Sequence, residues 1–268
     1  TISPFFIFKK ALKLQLINSK TLITKNFKLT IQYDGTDYCG WQIQKNTTTV
    51  QGVIKKALED IVKINSVNVV GSGRTDSGVH SIGQVCSVKL KTNMTDVQVL
   101  RALNSKLPNN IRVTLSEIVD DNFNARFSAI DREYIYKIKK EESPFDYKYF
   151  WNYPYDYDIN ILNDCAKIVS QQNDFYNFCK PSLDIKNYNC TINYSKWIIK
   201  NNTLIYQINA NRFLHHMVRM LVGTMLEVSR GKIFVDDFLN LFNQNINKNK
   251  ILTAPSKGLY LFKVKYEN

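Results

Sequence analysis

A chain of 268 residues with 44% hydrophobic and 22% charged side chains is globular in composition and long enough for one large domain or two ordinary ones. No run of about 18 apolar residues is present to serve as a membrane helix. The formal net charge of +13 suits a polyanionic partner, because lysine and arginine release counterions from phosphates, although a lysine-rich composition gives the same excess without one. The cysteines at 39, 86, 165, 179 and 190 form no C-x-x-C pair, which argues against a disulfide framework and a thiolate zinc site, and for a reducing compartment.

Six lysines precede the first acidic residue, Asp34. Residues 1–26 therefore read either as the remnant of an organelle transit peptide or as a basic arm that touches RNA or nothing. Cytoplasm is the default compartment, and plastid or mitochondrial import the alternative. Phe27, Leu29, Ile31 and Tyr33 alternate, which predicts a strand. Val50, Val53, Ile54, Ala57, Leu58, Ile61 and Val62 follow helical spacing behind Thr48 or Thr49 as N-cap. Val67–Val70 is a short strand, 71–81 a glycine-rich loop, and Cys86, Val88 and Leu90 alternate in the strand after it. Thr95 caps a helix through Leu107 that Pro108 stops, and Ile111, Val113 and Leu115 form the next strand. The second half repeats this order. It has a strand through Tyr134, Tyr136 and Ile138, a helix from about Asn160, and a hairpin turning at Asn201-Asn202. A long helix from about Phe213 to Val228 follows, then a shorter one over about Val235 to Phe242, and a last strand at Leu259, Leu261 and Val264.

Two β-α-β-β-α-β units in tandem are the expected fold. The class is α+β: ferredoxin/RRM-like units over 27–120 and 121–268 merge into one continuous, mainly antiparallel eight-stranded sheet. Helices lie on one face, and an RNA-binding cleft is expected on the other. Asn243–Lys250 reads as a low-complexity loop. Residues 145–157 (FDYKYFWNYPYDY) carry eight aromatics, suited to stacking on bases or, slightly better, to packing.

The loop GSGRTDSGVHS concentrates Gly71, Gly73 and Gly78, three of the chain's ten glycines, around Arg74 and Asp76. Glycine permits positive φ or close backbone approach. The loop is neither a Walker A nor a dinucleotide fingerprint, since it lacks G-K-[ST] and does not lead into a helix. A buried Asp76 flanked by Arg74 would stay ionised and suits a nucleophile or an electrostatic partner of a sugar C1′ better than a general acid. A structural Arg–Asp pair pinning the loop is the other reading of these residues.

The loop resembles the G-x-G-R-T-D-x-G-V-H motif of the TruA family of tRNA pseudouridine synthases. Five further blocks resemble that family in order: YDGTDYCGWQIQ (33–44), KLPNNIRV (106–113), FNARFSAIDREYIY (123–136), FLHHMVRMLVGTMLEV (213–228) and KGLYL (257–261). Ser72, Ser77 and Ser81 stand where the family usually has alanine or another small residue. The resemblance implies isomerisation of uridine to pseudouridine in tRNA without metal or organic cofactor, by a homodimer. For the bacterial type it implies positions 38–40 of the anticodon stem-loop; other relatives modify other uridines. It makes Asp76 the catalytic aspartate, attacking at C1′ or at the uracil ring, and Tyr134 the residue that stacks on the target base. It pairs Arg219 with the carboxylate and gives Arg74 a part in flipping the base. Only 8 of the 36 basic residues are arginine, and Arg74, Arg126, Arg132, Arg212 and Arg219 fall in or beside these blocks, where planar bidentate geometry is needed. His215 and His216, taken as neighbours on a helix, would point about 100° apart and share an ion poorly. His80 is expected to hydrogen-bond the loop. A non-catalytic tandem RRM-like RNA binder is the competing function; the missing RNP pattern weighs against it.

Overall fold

The computed structural model describes residues 22–181, 186–243 and 251–267. The basic arm up to residue 21 and most of the Asn243–Lys250 stretch lie outside the described residues. The first half folds as β1 (Thr24–Tyr33), α1 (Val50–Val62), β2 (Val69–Gly71), β3 (His80–Lys91), α2 (Asp96–Lys106) and β4 (Ile111–Val119). The caps follow the sequence. Thr49 accepts a hydrogen bond from the Gly52 amide at the start of α1. Thr95 and Gln98 form a reciprocal capping box on α2.

The second half contains β5 (Ala129–Lys139), β6 (Trp151–Asn152), α3 (Ile159–Gln171), β7 (Ile192–Lys200), β8 (Thr203–Ala210), α4 (Met217–Ser229), α5 (Val235–Asn240) and β9 (Leu259–Tyr266). Asn201 and Asn202 turn the β7–β8 hairpin with φ of 49° and 57°, the two positive values a tight primed turn needs. Two differences from the sequence reading matter. Among the described residues the sheet has nine strands rather than eight, because Trp151 and Asn152 pair in parallel with Ile138 and Lys139; two residues are too few for a period to show. The long helix begins at Met217, not Phe213. His216 takes φ 65°, which no right-handed helix residue adopts, so Phe213–His216 form a turn ahead of it.

The strand order is β4-β1-β3-β9-β5-β8-β7, with β2 on β3 and β6 on β5. Each half thus has the same internal order, β4-β1-β3-β2 and β9-β5-β8-β7. They join where β3 and β9 run parallel through two residue pairs, His80 with Tyr260 and Ser81 with Leu261. Paired residues share a face. Tyr33 pairs with Ser81, Ser81 with Leu261, and Leu261 with Tyr134. Tyr33 belongs to the core under α1 and α2, and Tyr134 and Leu261 to the core under α3 and α4. Both helix layers therefore cover the same side, one on each flank of the seam. On the other side His80 stacks on Tyr260, ring centroids 4.8 Å apart. The aromatic stretch crosses there: the Tyr149 hydroxyl donates to Asp34, and the Tyr149 carbonyl accepts from the Tyr260 hydroxyl. Of the aromatics in this stretch Tyr153 is buried and Phe150, Trp151 and Tyr157 are half-buried, while Phe145, Tyr147, Tyr149 and Tyr155 are exposed, Phe145 the most.

Candidate active site

The loop between β2 and β3 rests on residues 33–41. The Ser72 amide donates to Val85 O, its hydroxyl to Gln84 Oε1, and Gln84 Nε2 to Gly73 O. Thr75 shares a 2.8 Å hydrogen bond with the buried Tyr33 hydroxyl, and the Thr75 carbonyl accepts from the Trp41 amide. The YDGTDYCGW block is thus the bed of the loop. Gly71 is required by close approach, since a Cβ there would stand 2.3 Å from the Trp41 indole nitrogen. Gly78 is required by backbone, with φ +74°, where the chain reverses behind Asp76. Gly73 meets neither condition: its φ is not positive, and a Cβ would find no atom within 4 Å.

Asp76 lies at the seam on the helix-bearing side, not on the helix-free face where the sequence reading put the cleft. Three side chains reach its carboxylate. Arg219 Nη1 is 3.2 Å from Oδ2, His215 Nε2 is 3.2 Å from Oδ1, and His216 Nε2 is 3.5 Å from Oδ2. The Asp76 side chain is 16% exposed, so it is not sealed from solvent. Burial pushes its carboxyl pKa up. The His215 hydrogen bond and the charges of His216, His215 and Arg219 outweigh that and hold it below the ordinary carboxylate value. Burial also pulls the His216 imidazole down, against the pull of Asp76. Arg219 is itself fixed: Nε donates to Ala254 O at 2.7 Å, and its own carbonyl accepts from the Ala254 amide.

Tyr134 stands on β5 facing the same side, its ring edge-on to Phe213 with centroids 4.9 Å apart. Burial, with the nearby Tyr33 and Asp76, pushes its hydroxyl pKa up, so the phenol is protonated near neutral pH. Arg74 is exposed and is not among the partners of Asp76. The sequence reading paired these two residues, but side chains two apart on an open loop need not converge. His80 does not bond the loop either. Its Nδ1 accepts from the Gly35 amide at 3.0 Å, and its Nε2 lies 3.1 Å from Lys148 O.

His215 and His216 converge on the aspartate, which their sequence does not signal: the left-handed turn at His216 takes them off the helix, so the 100° separation of helical neighbours does not apply. The ligand atoms of Asp76, His215 and His216 lie within 4.8 Å of one another, close enough to hold a cation, but the guanidinium on the same carboxylate opposes a second positive charge.

A family model described as tRNA pseudouridine synthase matches residues 29–128 and 172–267. A tRNA pseudouridine synthase A from Latilactobacillus sakei subsp. sakei is 38% identical over 250 residues, covering 91% of this chain and 100% of that protein. One from Lacticaseibacillus casei is 39% identical over 246 residues, covering 90% and 99%. One from Geobacillus sp. is 36% identical over 248 residues, covering 92% and 100%.

Proposed function

The chain belongs to the tRNA pseudouridine synthase family, and from that premise we propose how its residues divide the isomerisation of uridine to pseudouridine in tRNA. In the reaction the N1–C1′ bond breaks, the C5–C1′ bond forms, and the proton lost from C5 is balanced by one gained at N1. Asp76 is the nucleophile. The observation that carries this reading is a partly open carboxylate held ionised by Arg219, His215 and His216, since an ionised oxygen can attack and a protonated one cannot.

Arg219 keeps the carboxylate aimed and charged. Tyr134 offers the flipped base an aromatic surface and a hydroxyl beside the aspartate. Arg74, exposed and clear of the carboxylate, is free to enter the helix the base has left. The helix-bearing side of the seam, where Asp76 is partly open, receives the tRNA, and the target lies at positions 38–40 of the anticodon stem-loop. What supports that choice is the bacterial origin of the similar proteins, taken with the positions the resemblance implies for the bacterial type.

Asp76→Asn removes the attacking charge while keeping size. Release of tritium from tRNA labelled at uridine C5 is expected to fall to background while tRNA binding persists. Turnover by this variant would refute Asp76 as nucleophile. Mapping pseudouridine in tRNA treated with the wild-type protein tests the target: modification confined to positions other than 38–40 would refute that part alone.

A further inference from the structure

Arg132 lies on β5, two residues before Tyr134. Its guanidinium makes four hydrogen bonds, and every acceptor is a backbone carbonyl. Nη1 donates to Ala129 O (3.1 Å) and Asn211 O (2.8 Å), and Nη2 to Ser72 O (2.9 Å) and Arg126 O (2.9 Å). These carbonyls belong to three separate stretches of chain. Ser72 begins the loop that carries Asp76. Arg126 and Ala129 lead into the strand that carries Tyr134. Asn211 begins the segment that carries His215 and His216 and ends at the helix of Arg219.

The geometry leaves little room for another use of this side chain. Each Nη has two hydrogens, so four bonds consume all of them, and only Nε–H remains to offer a phosphate. Burial pulls its pKa down, and no carboxylate is among its hydrogen-bond partners. The Asp131 charge lies near but makes no hydrogen bond to it, so the half-buried cation leans on carbonyl dipoles, which is costly, and the planar fork is the one side chain that can satisfy four such acceptors at once.

We propose that Arg132 is a positioning residue: it ties the start of the Asp76 loop to the strand of Tyr134 and to the turn of His215 and His216, and so sets the register of the carboxylate against its partners across the seam. The role rests on the assignment of Asp76 as nucleophile. It adds no contact to the substrate. It holds three backbones where their side chains meet.

Arg132→Lys and Arg132→Met test it, assayed beside Asp76→Asn. The lysine keeps the charge and stem but cannot bridge four carbonyls; the methionine keeps the stem alone. Three quantities are read: the single-turnover rate constant with C5-tritiated tRNA at saturating enzyme, the Kd for tRNA, and Tm. At saturating enzyme the rate constant reports the bound, folded complex, so a merely structural loss lowers Tm and leaves that constant unchanged. The expected result for both variants is a rate constant about 10- to 100-fold lower, as an ångström-scale misplacement gives, with Kd within about threefold of wild type because the residue spends no hydrogens on phosphate. A normal rate constant would overturn the proposal, whether Tm falls or Kd alone rises. Failure of both variants to fold would overturn it too, since the residue would then be scaffold. Turnover by Asp76→Asn would instead remove the nucleophile assignment on which the role rests.

Discussion

At the scale of single residues, the site is a contest between burial and charge around one carboxylate. Burial alone would raise the Asp76 pKa, and the groups of the 215–219 segment more than reverse that. Arg219 is the fixed member of the set, because Nε is held by Ala254 O while Nη1 reaches Oδ2. Arg219→Lys keeps the charge but cannot make both bonds in that geometry. The rate constant for tritium release is expected to drop about 10- to 100-fold with tRNA affinity nearly unchanged; a wild-type rate would show that charge alone suffices. Asp76, Tyr134 and Arg219 were legible because each sits in a block that resembles the family, and side chains kept in register through several blocks meet in space. The role of the histidines was not legible. Phe213 and Leu214 continue the apolar spacing of α4, so periodicity runs through the turn that aims both imidazoles at Asp76. The supposed Arg74–Asp76 pair failed for a related reason: nearness in sequence does not fix direction on a loop.

At the scale of elements, strands and helices followed their periods, and the disagreements arose where tertiary contacts decide. The start of α4 is one case, and β6, which exists only through its pairing with β5, is another. Gly223, in the middle of α4, makes the same point as a prediction. Helix propensity favours alanine over glycine by about 1 kcal/mol. Packing opposes it: a Cβ at Gly223 would stand 2.5 Å from Leu252 O and 3.0 Å from the Ala254 amide nitrogen. Both are backbone atoms that cannot rotate away, so the 252–254 segment must shift, and it carries the carbonyl that anchors Arg219. Gly223→Ala is therefore expected to lower Tm, reversing the sign that propensity gives, and to lower the turnover rate with it. Thermal melts and tritium release on the same preparation check both; a raised Tm would show that the segment gives way without cost.

At the scale of the whole molecule, the proposed site depends on a narrow seam, because Asp76 comes from the first half of the chain and Arg219 from the second. The β3–β9 ladder supplies only two residue pairs, and the opposite face adds a second lock. There His80 is buried, accepts at Nδ1 from the Gly35 amide, meets Lys148 O at Nε2 and stacks on Tyr260. One nitrogen that accepts and one that donates describe a neutral imidazole. Protonation would put a second hydrogen on Nδ1 and break the Gly35 bond. Burial accordingly pulls the His80 pKa below its ordinary value, with Lys137 adding to the shift and Asp34, 3.2 Å from Nδ1, opposing it. The unfolded chain then binds a proton at higher pH than the folded one. The contribution of His80 to stability is complete above the unfolded pKa of about 6.5 and is lost as pH falls from there through the lower folded value. His80→Gln keeps an amide donor and a carbonyl acceptor but cannot titrate. Wild type should lose Tm more steeply than His80→Gln as pH is lowered from about 7 to about 5, and the two slopes should converge above that range. Parallel curves across the whole range would show that the seam does not titrate through this residue.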